Sequence, residues 1–474
     1  MNTVLRRDAE YIARAAIKAV CPAEAVKRAL EGKTFPGRVL LVSVGKAAWK
    51  MAETAVSLLS QVQGIVLTKY GHVEYPLPGI RCIEAGHPVP DENSFMGSRA
   101  VLDMTADLTA EDTVLFLLSG GGRALFEEPL ITGEELQNIT SQLLASGADI
   151  VEMNTIRKRL SGVKGGRFAR HCAPAHVEQI VLSDILGDPL DMIASGPAAP
   201  DSSTCREALA IAEKYHLQMS PAAWDCLGQE TPKSLENVST KIIGSVRELA
   251  KAAAAACREL GYEPVILTDH LDCEARDAGR YMAKILRENC EYSIQEEESE
   301  DLKLKKDPKD LKQKYNPKDL KQKDILRDRK EQRQDFVFAD DDTMEGVLGL
   351  NLHPEPEENR RKKAFLAGGE TVVHLTGKGL GGRNQELALA ACEGIAGMNA
   401  CVISVGSDGT DGPTDAAGGY TDGDTLAALK AKSLKLCDVL ADNDAYHALK
   451  AVDGLIFTGP TGTKVNDIAI GLLG

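Results

Sequence analysis

Short, continuous apolar runs punctuated by glycine recur along the chain. Val39 to Val44, Gly64 to Thr68, Thr113 to Leu118 and Gln179 to Leu182 are β-rich rather than alternating, and amphipathic stretches lie between them, the first over 46–59. Strands that are apolar on both faces and alternate with helices predict a parallel sheet covered on each side. The pattern restarts near Lys241. Ile242-Ile243-Gly244 leads into an Ala-rich helix predicted over 245–260, followed by strands over 264–268, 364–366, 371–375 and 400–405 and a helix over 384–392. The chain therefore reads as α/β in two lobes, residues 1–238 and residues 239–294 plus 363–474. The cleft between two such lobes is a common ligand site.

Residues 295–362 interrupt the second lobe with Glu-Glu-Glu-Ser-Glu-Asp, then Asp-Pro-Lys-Asp-Leu-Lys-Gln-Lys (307–314) and its near copy Asn-Pro-Lys-Asp-Leu-Lys-Gln-Lys (316–323). High charge and few apolar residues predict a disordered insertion; the functional reading is a docking arm for an unknown partner. Asp340-Asp341-Asp342 lacks the loop spacing of a calcium site.

The 474 residues carry a formal charge of −15, which repels phosphate backbones and anionic lipid and excludes a general nucleic-acid or membrane-surface role. No apolar run approaches the roughly 20 residues of a membrane span. The N-terminus has charges where a signal peptide would be apolar, and the 11 cysteines include no Cys-x-x-Cys pair. A cytoplasmic protein with reduced thiols is expected.

Several motifs bear on chemistry. Ser119-Gly120-Gly121-Gly122 follows a strand, as a backbone cradle for an anion or as a tight turn. Gly377-Lys378-Gly379-Leu380-Gly381-Gly382 matches a dinucleotide fingerprint, but the acidic residue expected about 20 positions on is missing. Arg383-Asn384-Gln385-Glu386 then opens a helix with a cation and two amides. Lys46 sits at a strand-to-helix turn. Asp184 and Asp188 follow a buried strand, where they suit magnesium or general-base work. Asn154, Arg157, Lys158, Lys164 and Arg167 form a basic run around Gly165-Gly166, either a solvated face or a ligand contact. Asp408, Asp411 and Asp415 line an acidic glycine loop. His87 reads as a loop-packing histidine.

Taken in order, these segments resemble the class II glycerate kinases, which join an N-terminal glycerate-kinase domain to a C-terminal MOFRL domain. The resemblance rests on Val-Gly-Lys-Ala-Ala (44–48), Ala-Gly-His-Pro-Val-Pro-Asp (85–91), Ser-Gly-Gly-Gly (119–122), Asn154 to Arg167 and Ser-Asp-Ile-Leu-Gly-Asp (183–188). It continues through Ile-Ala-Ser-Gly-Pro (193–197), Gly-Gly-Glu-Thr (368–371), Gly-Gly-Arg-Asn-Gln-Glu (381–386), Asp-Gly-Thr-Asp-Gly-Pro-Thr-Asp-Ala-Ala-Gly (408–418) and Thr-Gly-Pro-Thr-Gly-Thr (458–463).

The resemblance implies a Rossmann-like α/β/α first lobe and phosphorylation of D-glycerate, usually at the 2-hydroxyl, by ATP with Mg²⁺. Lys46 and Arg383 would hold glycerate or the phosphoryl group. On that reading Ser119, Gly120, Gly121, Gly122, Asn154, Lys158, Lys164 and Gly165 hold the ATP phosphates. Asp184 ligates Mg²⁺ or accepts the hydroxyl proton, with Asp188 a second ligand. Asn384, Glu386, Asp408 and Asp411 line the substrate. Family members have also carried the label hydroxypyruvate reductase, so an NAD(P)H-dependent reductase is one alternative, and a non-catalytic scaffold is another. Three positions depart from the pattern: Arg123 stands where Ser is typical, Lys464 where Asn is usual and Cys273 where Gly is usual. Arg123, directly behind the glycine cradle, either obstructs a nucleotide or adds a phosphate contact.

Overall fold

The computed structural model describes residues 2–304 and 362–474. The first sheet has six strands, β1 (Val39–Val44), β2 (Gln63–Lys69), β3 (Ile80–Ala85), β4 (Thr113–Leu118), β5 (His176–Leu182) and β6 (Val238–Gly244), in the order β3-β2-β1-β4-β5-β6. All pairings are parallel. Every residue of β4 is buried, the signature of a central strand covered by helices on both faces. On one face Phe116, Phe126 and Phe168 meet with ring centroids 5.0–6.1 Å apart. Each such buried ring contributes about 1.5–3 kcal/mol, and Phe126 thereby anchors the segment that follows the triple glycine.

The second sheet holds β7 (Tyr262–Leu271), β8 (Lys362–Gly369), β9 (Ala400–Gly406), β10 (Gly418–Asp422), β11 (Leu455–Ile456) and β12 (Asp467–Leu473), ordered β11-β10-β9-β12-β8-β7. Only β7 and β8 run parallel; the other neighbours are antiparallel. The cores are not separate, because one apolar cluster joins Leu115 and Ile180 of the first sheet to Ile403 and Ile468 of the second.

Three expectations need correction. The strand at 238–244 pairs with β5, so it closes the first sheet instead of opening the second lobe. The helix Thr3–Ala19 packs on the helix Val246–Glu259 and on β9 and β12, which transfers the first residues to the second lobe. Its seat is polar as well as apolar: the Asn2 N–H donates to Asp422 (2.7 Å), and the Tyr262 hydroxyl donates to buried Asp8 (3.1 Å). Thr371 to Leu375 is not a strand. It makes one isolated bridge, Val372 to Glu274, and Leu375 is exposed, because no further strand lies beside it.

The backbone stays helical through Ala275–Leu304, past the expected start of the insertion. The remainder of that expectation, including the docking arm, lies outside the described residues. No described helix is long and apolar enough to cross a membrane.

Candidate active site

The first sheet grows outward from β1 on one side and from β4 on the other. Loops leaving two such central strands diverge and open a crevice at their carboxyl ends. Here those loops are 45–47 and 119–122, and they touch. Gly45 has φ +123°, and a Cβ on it would stand 2.2 Å from Ser119 Oγ. The Ser119 hydroxyl accepts from the Ala47 N–H (3.1 Å) and donates to the Val44 carbonyl (3.3 Å), while the Lys46 N–H donates to the Gly120 carbonyl (2.8 Å). Ser119 is therefore a buried staple between the loops, not the free phosphate ligand the sequence suggested.

Gly120 and Gly121 are different. A Cβ on Gly120 would lie 2.1 Å from Asp184 Oδ2. One on Gly121, at φ +88°, would meet Lys46 Cγ and the His87 ring at 3.1 Å. Only glycine permits a carboxylate, an ammonium stem and an imidazole to close on the turn this tightly. The N–H groups of Gly120 and Gly121 donate to no group among the described residues. Gly122 is instead packed into the interior, 2.8 Å from Ala194 Cβ by the same test.

Lys46, His87 and Asp184 share one electrostatic environment. Burial lowers the Lys46 ammonium pKa and nearby Lys464 adds to that, while Asp184 opposes both. Burial raises the Asp184 carboxyl against its own N–H, Lys46, Arg123 and Lys464. Burial, then Lys46, Lys69, Arg123 and His72, keep His87 below its ordinary value. Asp188 adds to the field at Arg247 instead. Among the described residues no cluster of three or more His, Cys, Asp or Glu side chains is placed to hold a metal.

Within the basic run, most of the expected phosphate ligands are committed to the fold. Asn154 is buried and accepts from Ser195 Oγ at 2.9 Å. Lys158 is buried with its ammonium 2.8 Å from Asp201 and 3.2 Å from Asp191. Lys164 is buried against Glu127. Gly165, at φ +58°, donates its N–H to the Ser195 carbonyl (2.9 Å). Arg123 and Arg157 are half-buried and make no ion pair among the described residues, as is also true of Lys46 and Lys69.

The second lobe is similarly sorted. Asp411 accepts the N–H groups of Asn384 (3.1 Å) and Gln385 (2.9 Å), capping the helix Arg383–Ala391. Burial pushes its carboxyl up to about 6, against those two N–H groups. Asn384 accepts from Ser404 Oγ at 2.6 Å, and Glu386 accepts from Arg276 and Asn443; both are buried. These three expected substrate residues are therefore interior supports.

Arg383 and Asp408 are half-buried instead. Arg383 is forked on Asp467 and reaches Glu370 at 2.8 Å. Burial disfavours its charge, but Asp467, Glu370 and Asp411 outweigh that and hold it protonated. Asp408 meets Lys464 at 3.5 Å, and Lys464 in turn acts on Lys46 and Asp184 across the lobes.

The glycine loop 377–382 is bonded to residues 442–444 over its first four positions. The N–H groups of Gly377, Lys378, Gly379 and Leu380 donate to Asn443, Asp442 and Asp444 over 2.7–3.0 Å. A Cβ at Gly377 or Gly379 would strike residues 442–444. Of that stretch only the amides of Gly381 and Gly382 are left for a pyrophosphate, which weakens the structural basis of the reductase alternative.

Arg123 and Arg157 were readable as phosphate or ligand contacts, but sequence reasoning gave His87, Lys464, Glu370 and Asp467 no role in this region. His87 and Glu370 stand inside motifs already noted, and Lys464 directly after one. Asp467 carries no local signal, because only the β8–β12 pairing brings it to Arg383.

Fold and site together define a two-lobed α/β protein in which a glycine turn, Lys46 and Asp184 converge at the switch point of its parallel sheet. Residues 8–228 match a family described as a domain of unknown function, DUF4147, and residues 363–467 match the MOFRL family. The chain is 45% identical to D-glycerate 2-kinase of Thermotoga maritima over 99% of its length and 98% of the relative's. It is 35% identical to glycerate 2-kinase of Pyrococcus horikoshii over 97% and 95%. The crystal structure of the Thermotoga maritima glycerate kinase superposes with a TM-score of 0.81 at 43% identity, covering 99% of this chain and all of that one. The chain belongs to the glycerate 2-kinase family.

Proposed function

We propose that the protein transfers the γ-phosphoryl group of ATP to the 2-hydroxyl of D-glycerate, with Mg²⁺ accompanying the nucleotide. The observation that carries this reading is the pair of free amides at Gly120 and Gly121, set beside Lys46 and Asp184 at the carboxyl ends of β1, β4 and β5. Phosphoryl transfer asks a protein for positioning and charge neutralisation more than for covalent chemistry. The two amides orient phosphate oxygens, and Lys46 supplies a point charge on the oxyanion. Asp184, whose burial raises its proton affinity, accepts the proton from the substrate hydroxyl.

A nucleotide-borne Mg²⁺ needs only one or two carboxylates beyond the phosphates; Asp184 and Asp408, on facing lobes, suit that role. The ion supplies charge neutralisation on the phosphates. Arg383, locked in its protonated form by Asp467 and Glu370, presents a fixed positive edge from the second lobe.

A coupled ADP-release assay with D-glycerate, ATP and Mg²⁺, followed by phosphorus NMR of the product, tests this. The expected product carries phosphate on C2. No ADP release, or phosphate on C3, refutes the proposal as stated, and oxidation of NADH by hydroxypyruvate would revive the reductase.

A further inference from the structure

His87 follows β3, the outermost strand of the first sheet, yet its ring lies over the glycine turn that follows β4. The order β3-β2-β1-β4 puts three strand spacings, about 14 Å, between those two starting points. The loop after β3 therefore doubles back across the carboxyl ends of β2 and β1, and it is tied down on the way. Tyr70, just past β2, donates its hydroxyl to Asp91 (2.7 Å), and Asp91 caps the helix Glu92–Met104 by accepting the Ser94 N–H (3.0 Å). Asn93 donates to the same Tyr70 oxygen and to the Glu84 carbonyl, each at 3.0 Å. His72 Nδ1 stands 2.9 Å from the Lys46 carbonyl. The loops after β1, β2 and β3 are thus one linked layer, and it holds the half-buried His87 ring in place.

The Cδ2–Nε2 edge of that ring faces the turn. A Cβ on Gly121 would stand 3.1 Å from His87 Cδ2, 3.2 Å from its Nε2 and 3.1 Å from Lys46 Cγ. By ordinary backbone dimensions that point is about 2.5 Å from the Gly121 nitrogen, so Nε2 lies within about 6 Å of the free amide. Such a gap is short enough for one oxygen, about 2.9 Å from each nitrogen, to bridge. Neither ring nitrogen of His87 has a hydrogen-bond partner among the described residues. Its surroundings keep the imidazole below its ordinary pKa, so at neutral pH the ring is uncharged and offers a single N–H.

We propose that His87 is a ligand contact, its Nε2–H donating to the oxyanion that the Gly121 N–H and the neighbouring Lys46 hold. That oxyanion is a carboxylate oxygen of the hydroxy acid or a phosphate oxygen of the nucleotide. The proposal deepens the kinase reading and rests on it for the identity of the ligand. A neutral donor here adds direction to the seat without adding to the positive charge already beside it at Lys46.

Two variants separate contact from packing. The side-chain amide of glutamine can take the place of the imidazole Nε2–H, whereas asparagine is too short and matches only Nδ1. In steady-state assays on the full chain, His87→Asn is expected to raise KM for D-glycerate or for ATP about tenfold or more, as loss of a hydrogen bond to a charged group does. His87→Gln is expected to recover most of that loss. A rise confined to D-glycerate assigns the contact to the carboxylate, and one confined to ATP assigns it to a phosphate oxygen. Calorimetric titration with D-glycerate and with ATP plus Mg²⁺ as separate probes should show the same loss of affinity. Values within twofold of wild type for both substrates in His87→Asn would overturn the contact and leave the kinase reading intact. Equal impairment of the two variants, with melting temperatures several degrees below wild type, would overturn it too, since that marks His87 as a packing residue. Wild type that binds a probe tenfold more tightly than His87→Asn but releases no ADP refutes the kinase reading and leaves the contact standing.

Discussion

Replacing Lys158 by methionine separates a structural cation from a phosphate ligand, because methionine keeps the buried stem and removes only the charge. The Lys158 ammonium is 2.8 Å from Asp201, and both side chains are almost wholly buried. Breaking a buried pair from one side costs about 3–5 kcal/mol, since the surviving charge is stranded. Asp201 would not be entirely stranded. It keeps Thr231 Oγ1 at 2.6 Å, the Ser203 N–H at 3.0 Å and Arg159 at 3.6 Å, which places the cost at the lower end.

A second route gives a similar size. Burial pushes the Asp201 carboxyl up, but Lys158, Thr231 and Ser203 outweigh it and hold it at about 2, against an ordinary 3.8. That depression corresponds to about 2.5 kcal/mol, at 1.36 kcal/mol for each pH unit. The group is depressed in the folded state, so its contribution is present above about pH 4 and is lost as pH falls through about 2. Calorimetric unfolding at pH 7 should show Lys158→Met melting lower by roughly 3 °C. The gap to wild type should narrow as the solution is acidified below pH 4, and the KM for ATP should stay within a factor of about two. A variant that melts with wild type while its KM for ATP rises tenfold refutes the reasoning and returns Lys158 to the phosphate site.

Arg383→Ala should lower turnover on D-glycerate by on the order of a hundredfold, as removal of a preorganised electrostatic group does; steady-state kinetics showing wild-type turnover would remove Arg383 from the reaction. Asp411 is raised to about 6 by burial, so its contribution to stability is fullest below about pH 4 and is lost as pH rises through 6. That is about 3 kcal/mol for some two pH units, and the difference in melting temperature between wild type and Asp411→Asn should change sign or size across that window only. Glu127→Gln strands the buried Lys164 ammonium and should cost about 3–5 kcal/mol by urea denaturation. Adding Lys164→Met should recover a large part of that loss.

Much of the first lobe was readable in sequence because β1, β2, β4 and β5 are continuous apolar runs, a local property. The crevice was readable too, since Lys46, Gly120, Gly121 and Asp184 each follow one of those strands, and strand ends in a parallel sheet converge. What failed was the allocation of charge. Lys158, Lys164, Asn384, Glu386 and Asp411 have the residue types of ligands, yet each is bonded to a partner many positions away, such as Asp201 for Lys158 and Glu127 for Lys164. Arg123 and Arg157, less prominent in the run of motifs, make no ion pair among the described residues, and neither does Lys46. The lobe boundary failed for a related reason: β6 and the helix Thr3–Ala19 are locally unremarkable, and only tertiary pairing decides their side.

The placement of that first helix has a consequence for how the polypeptide matures. Its seat is built from β9, β12 and the helix Val246–Glu259, so the seat is completed only after β12 (Asp467–Leu473), far along the chain, has left the ribosome. At ordinary elongation rates of about 5–20 residues per second, an apolar surface including Leu5, Ile12 and Ile17 stays uncovered for tens of seconds. During that interval the nascent chain is a natural client for a holdase chaperone.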